Sequence, residues 1–216
     1  TLEYIDKYLP RFVGPILHLG NENGGMKDLI RGKNQFPRKT ARWCTGELKI
    51  TPAKKYMRTL NFEPINAVGI RAEESASRSK YPEWEYSPEF QCDVWRPILS
   101  WSEEDVIAML RRHGIRPNPL YLLGTKRVGC WPCVFSSKKS LRVLAKESPE
   151  RVNEIRMLEE ELNREEESLT HTWFRLGSRP APIDEVIQWA HHSRTGKELF
   201  ASTDRDQGCM RWGMCE

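Results

Sequence analysis

Six cysteines carry most of the chemistry open to this 216-residue chain. Cys130 and Cys133 form a C-x-x-C pair inside Gly129-Cys130-Trp131-Pro132-Cys133. A turn of that length lets two thiolates face one ion. Three readings stay open for it: half of a zinc site, half of an iron–sulfur site, or a redox dithiol. A redox dithiol normally opens a helix directly after a strand, and the following Val134-Phe135-Ser136-Ser137 fits that poorly. A metal needs two more ligands. Cys44, within Arg42-Trp43-Cys44-Thr45, and the tail thiols Cys209 and Cys215 are the candidates. Cys92 reads as a small buried hydrophobe. The five histidines show no H-x-x-H or H-x-E spacing, so a histidine-rich catalytic zinc site is not expected.

The second chemical feature is basic. From Lys27 to Arg58 there are ten lysines and arginines against Asp28 and Glu47 alone. Arg42 and Lys49 stand just before Thr51-Pro52, which reads as a helix start whose free amides would attract an anion. Arg71, Glu74, Ser75 and Arg78 follow a strand-like run, and in open α/β sheets the carboxyl ends of strands host ligands. Arg71 and Arg78 suit bidentate phosphate contacts. A salt bridge to Glu73 or Glu74 is the competing role. Lys126 and Arg127 add charge just ahead of the cysteine pair.

The elements that must position these groups alternate. Leu2 to Leu9 reads as a helix stopped by Pro10, and Pro15 to Gly20 as a strand. Asn21 to Lys39 is a long loop or a loop with a short helix. A helix is expected from Thr51 to about Leu60, a strand from Ile65 to Arg71, an irregular stretch from Arg78 to Gln91, and a short strand over Pro97 to Leu99. Ser102 and Asp105 form a capping box for a helix to Arg112, closed by Gly114. Pro117 to Cys133 is loop-rich. Pro149 opens an amphipathic helix to about Leu169, with Val152, Ile155, Leu158 and Leu162 on one face. A last helix runs from Ile183 to His192. This alternation predicts an α/β fold with a doubly wound, mainly parallel sheet and a helical, cysteine-bearing C-terminal region. The expected division is 1–140 and 141–216.

These segments together resemble the phosphoadenosine phosphosulfate reductase family of the adenine-nucleotide α-hydrolase superfamily. The resemblance is carried by Arg42-Trp43-Cys44-Thr45 with Lys49 and Pro52, by Gly69-Ile70-Arg71 with Glu74, Ser75 and Arg78, and by Trp95 to Trp101 with Asp105-Val106. Gly114 to Tyr121 and Arg127 to Cys133 complete it. The order and spacing hold over roughly residues 10 to 140. The flavour is that of phage and bacterial reductase-like proteins, and the sulfur-transfer ATPase of DNA phosphorothioation is a related branch.

The resemblance implies that Arg42, Lys49, Arg71, Glu74, Ser75 and Arg78 face an adenine nucleotide or its phosphosulfate. It also implies a 4Fe-4S cluster, with zinc as the alternative metal. Iron–sulfur members use a Cys-Cys pair and a later C-x-x-C. Here Cys44 matches the second Cys of the pair and Trp43 replaces the first. Cys44, Cys130 and Cys133 therefore carry over, and Cys209 or Cys215 is the candidate fourth ligand. The reductases use a tail thiolate as nucleophile, a role that falls to Cys215, although Cys215-Glu216 lacks the family's C-G-L-H context. The superfamily's S-G-G-x-D-S pyrophosphate loop is absent; Gly24-Gly25 stands in the wrong setting. Either the chain begins downstream of that loop, a partner chain supplies it, or ATP is no longer hydrolysed; a homo-oligomer is the other partner expectation. A rival class is a binding or regulatory module that keeps the fold and metal site and acts on nucleic acid or a protein.

Composition bounds these readings. Apolar residues make up 38% and charged residues 30%, with a net charge of +4, which alone does not demonstrate nucleic-acid binding. No stretch reads as a membrane span or a signal peptide, and reduced thiols in a cytoplasmic setting are expected.

Overall fold

The computed structural model describes residues 2–125, 128–130, 132–166 and 169–192. They form a mixture of helices and strands in two compact units, Thr1–Gly46 with Pro117–Glu216, and Glu47–Arg116.

The first unit is mainly helical. A π-type turn over Tyr4–Tyr8 runs into α1 (Pro10–Val13), so Pro10 starts a helical turn rather than stopping one. Proline at a first helical position loses no hydrogen bond, because that N–H has no intrahelical acceptor. Pro15 to Gly20, expected as a strand, joins no ladder. α2 (Met26–Lys33) sits inside the basic loop, and Asn34 closes it in the left-handed conformation. α3 (Trp43–Thr45) is a single turn.

In the second unit α4 (Thr51–Met57) is followed by β1 (Ile65–Ala67), β2 (Trp84–Ser87), β3 (Cys92–Trp95) and α5 (Glu103–Arg112). The sheet order is β1-β3-β2. β1 and β3 are parallel, with Ile65 opposite Asp93, while β2 runs antiparallel to β3 with Trp84 opposite Trp95. Among the described residues the mainly parallel sheet expected from sequence is thus reduced to one parallel pair. β2 falls in the stretch read as irregular; its indoles explain it, since Trp84 stacks on Trp95 with centroids 5.3 Å apart. Pro97 to Leu99, expected as a strand, is a turn closed by the Leu99 N–H donating to the Arg96 carbonyl at 3.1 Å. Proline cannot donate to a ladder.

The capping box of α5 forms as expected. Ser102 Oγ accepts the Asp105 N–H at 3.1 Å, and Asp105 Oδ2 accepts the Ser102 N–H at 2.8 Å. The Ser102 N–H and the Ser102 hydroxyl both donate to the Asp105 carboxylate and hold it below its ordinary value. Ser102→Ala is expected to cost about 1 kcal/mol of unit stability, read by urea denaturation.

The chain then returns to the first unit with α6 (Pro119–Leu122), α7 (Lys138–Glu147), α8 (Pro149–Leu162), the hairpin β4 (Phe174–Leu176) with β5 (Arg179–Ala181), and α9 (Ile183–His191). The apolar stripe of α8 is buried as its spacing predicts. It packs with Leu141 and Leu144 of α7, Ile183, Val186 and Ala190 of α9, and Ile30 and Phe36. α8 stops at Leu162, short of the expected Leu169. The Asn163 side chain donates to the Glu159 and His171 carbonyls at 2.6 and 2.7 Å and accepts the Thr170 and His171 N–H groups. No helix among the described residues is long and apolar enough to cross a membrane.

Glu159 is the unexpected member of this core, only 4% exposed. One carboxylate oxygen accepts the Trp173 N–H at 2.9 Å, and the other accepts the Ile183 N–H at 2.8 Å. α9 has no side-chain cap of its own, so Glu159 supplies an acceptor to its first turn from a neighbouring helix. Burial pushes the Glu159 carboxyl up to about 7, against the two N–H donors that favour the charged form.

Candidate functional site

The C-x-x-C pair lies between α6 and α7. Cys130 is exposed and Cys133 half-buried, with the latter packed against the helical core. The Cys133 N–H donates to Ser136 Oγ at 3.1 Å, and the Ser136 N–H donates back to the Cys133 carbonyl at 2.8 Å. That closed turn fixes the second thiol. Cys44 is half-buried in α3, 86 positions earlier in the chain. Its thiol is pushed up, first by burial and then by the neighbouring Cys130 and Cys133 thiols. The fold therefore makes neighbours of three thiols far apart in sequence. Three thiolates together repel one another, and a cation between them would reverse that penalty.

Cys44, Cys130 and Cys133 are free thiols. Their chemistry suits a soft metal or an iron–sulfur centre. Among the described residues, however, no group of three or more cysteine, histidine or acidic side chains is close enough to hold a metal ion. The three thiols are neighbours without forming a finished coordination sphere. Cys209 and Cys215 lie outside the described residues, as do Lys126 and Arg127. Cys92 is 4% exposed in β3, with its Sγ 3.9 Å from Met57 Sδ, which is the packed setting its sequence context suggests.

The candidate anion-binding residues of the second unit cluster after β1. Arg71 lies in extended backbone beyond the end of β1 rather than within a longer strand. Its guanidinium pairs with Glu73 and reaches the Trp101 carbonyl at 3.5 Å, while Glu73 also accepts the Glu103 N–H at 3.1 Å. Arg78 pairs with Glu74. Ser75 Oγ accepts the Arg78 N–H at 3.3 Å and shares a 3.0 Å hydrogen bond with Ser77 Oγ. Each arginine is thus held by a carboxylate close in sequence, the competing role weighed above. An anionic ligand would have to exchange with those carboxylates.

Lys49 is exposed in the π-type turn Gly46–Ile50 ahead of α4. The free amides expected at Thr51 are not there. Ile50 is itself helical, at φ −72° and ψ −53°, so α4 does not open as a bare helix end. In the first unit Arg42 is exposed at the N-cap of α3, and its guanidinium lies 5.5 Å from the centre of the Phe135 ring. The ring partner of Arg42 was not read from sequence. Phe135 follows the cysteine turn directly, and an aromatic placed there beside a basic loop is the signal that could have found it.

Residues 1–135 match the family model described as a phosphoadenosine phosphosulfate reductase domain. A 37.8 kDa protein in the gpa 5′ region of Escherichia phage 186 is 32% identical over 213 residues, covering 88% of this chain and 64% of the phage protein. The adenosine 5′-phosphosulfate reductase of Allochromatium vinosum is 33% identical over 90 residues, 42% of this chain and 34% of that enzyme. The corresponding reductase of Rhodococcus opacus is 34% identical over 107 residues, 50% of this chain and 42% of its own length. The chain spans less than two thirds of each of these relatives.

Proposed function

The chain belongs to the phosphoadenosine phosphosulfate reductase family, and on that premise we propose that it binds an adenine nucleotide or its phosphosulfate and serves reductive sulfur chemistry on it. The observation that carries the reading is the neighbourhood of Cys44, Cys130 and Cys133 within one unit of a chain that matches this family over residues 1–135. The doubly wound nucleotide-binding architecture and the division at residue 140 belong to the same proposal.

In this reading Lys49, Arg71 and Arg78 of the second unit bind phosphate or sulfate oxygens, Glu74 and Ser75 orient the arginines, and Arg42 is an anion-binding residue of the first unit. Guanidinium groups suit this task because their planar forks match two oxygens of a phosphate at once. The carboxylates of Glu73 and Glu74 hold Arg71 and Arg78 until the anion displaces them. Cys215 is the proposed nucleophile. Its thiolate attacks the sulfate sulfur, a sulfur–sulfur bond forms, the bond from sulfur to the bridging oxygen breaks, and the nucleotide leaves with that electron pair. Basic side chains near the leaving phosphate stabilise its growing charge.

Cys44, Cys130 and Cys133 are the proposed holders of a 4Fe-4S cluster, with Cys209 as the fourth ligand where Cys215 is the nucleophile, or Cys215 itself where it is not. Such a cluster, when bound, ties α3 to the cysteine turn and supplies local charge. The thiols must deprotonate to bind it; burial first, and then its two neighbours, push the Cys44 thiol up, and a bound cation would offset that.

Equilibrium titration with adenosine 5′-phosphosulfate tests the nucleotide reading. Saturable binding is expected, with Arg71→Ala weakening it about tenfold, as for loss of one charge-assisted contact. Arg71→Lys should restore only part, since a lysine offers no fork. Undiminished binding by the alanine variant would contradict the assignment of Arg71.

A further inference from the structure

We infer that the first unit carries a surface for single-stranded nucleic acid, built on the exposed rings of Phe135 and Trp189 and the cations laid over them. The basic run from Lys27 to Arg58 divides in the folded chain. Lys27 and Arg31 are taken up by carboxylates of α8, Lys27 with Glu154 at 3.4 Å and Arg31 with Glu161 at 2.8 Å. Lys39 and Arg42 make no such pair among the described residues. Both lie over one ring, 5.9 and 5.5 Å from the centre of Phe135, which is 40% exposed.

The pattern repeats close by. Lys138 lies 4.4 Å from the centre of the Trp189 ring, which is 43% exposed, and its ammonium also donates to the His192 carbonyl at 2.9 Å. Phe135 and Lys138 are three positions apart in the chain, a backbone reach of at most about 11 Å. α7 and α9 pack on each other, so the second ring is fixed to the helical core rather than to a loop tip.

Two solvent-facing aromatic rings, each accompanied by positive charge, are what a flexible polyanion with flat bases requires. The long cationic side chains swing from the ring faces to the phosphates, and bases stack on the rings in their place, whatever the sequence. A duplex hides its bases and would use only the charges. The surface is independent of Arg71 and Arg78, and Phe135 and Trp189 have no part in the phosphosulfate reading, although Arg42 is common to both.

The test is fluorescence anisotropy of the full chain with oligothymidylate and oligouridylate of about 16 nucleotides and with a duplex of equal length, across a series of salt concentrations. Tighter binding of either single strand than of duplex is expected, and which strand binds tells DNA from RNA. Phe135→Leu and Trp189→Leu should each weaken binding about tenfold with an unchanged salt slope, while Phe135→Trp keeps it. Lys39→Gln should lower the slope by about 0.7. Phe135 and Trp189 are exposed, and an unchanged urea midpoint in their leucine variants confirms that they fold. Equal affinity for duplex, binding to heparin or anionic vesicles alone, or indifference to both leucine variants would overturn the inference. None of these outcomes bears on adenosine 5′-phosphosulfate titration, so the two readings fail separately.

Discussion

Glu159→Ala is expected to destabilise the first unit by about 2–5 kcal/mol and to flatten its dependence on pH. The substitution strands the Trp173 and Ile183 N–H groups in a core from which water is excluded, and each buried donor left without an acceptor costs about 1–3 kcal/mol. The pH effect has a definite sign. The folded carboxyl titrates at about 7, above its ordinary value of 4.5. Between those values the folded state holds a proton that the unfolded state has lost. Stability from this group is therefore complete below about 4.5 and is lost as pH rises through 7, by on the order of 3 kcal/mol. Urea midpoints at pH 5, 6, 7 and 8 check it. A wild-type contribution that rises with pH, or an alanine variant as stable as the parent, would contradict this account of Glu159.

The second large effect concerns the thiols. On the cluster reading proposed above, Cys133→Ser is expected to abolish metal retention rather than reduce it. Serine keeps the size of the side chain but offers a hard, protonated oxygen where a soft thiolate is needed. Cys133 is also the thiol whose backbone is locked to Ser136 and whose side chain packs against the core, so its position is set by the fold. In wild-type protein the metal should raise the thermal midpoint, because it binds the folded chain and not the unfolded one. That rise should vanish in Cys133→Ser. Cys92→Ser should leave metal content unchanged, since Cys92 is buried in β3 beside Met57. Equal iron in the Cys133 and Cys92 variants would remove the cysteine turn from the metal account.

Some of this molecule is plain from its residues and some is not. The α5 cap is written in Ser102 and Asp105, because capping depends on residues three apart and on little else. The buried face of α8 is equally local, set by the spacing of Val152, Ile155, Leu158 and Leu162. α7 was missed although Leu141 and Leu144 are buried in it; its polar N-terminal half follows a loop and hides the stripe. The β4–β5 hairpin was missed because each strand has only three residues, too few for an alternation to register. Glu159 opens an acidic run in the sequence, and no local rule separates the one carboxylate that turns inward from its neighbours Glu160 and Glu161.

The site shows the same division. That Arg71 and Arg78 would meet Glu73 and Glu74 was foreseeable from proximity, and the structure makes those pairs. That Cys44 would lie beside Cys130 and Cys133 is a long-range fact. No spacing within the chain gives it; residue chemistry made Cys44 one of three candidate partners for the C-x-x-C pair, and the family resemblance singled it out. The Phe135 ring under Lys39 and Arg42 is long-range in the same way. Tertiary contacts of this kind are decided by packing across the core, which a one-dimensional pattern does not contain.

The most direct measurement is iron, zinc and acid-labile sulfide per chain in protein purified without oxygen and without added metal. About four iron and four sulfide per chain, with little zinc, is expected of thiolates that assemble a cluster. Protein free of iron and sulfide, with Cys44, Cys130 and Cys133 all open to alkylation under native conditions, would contradict it.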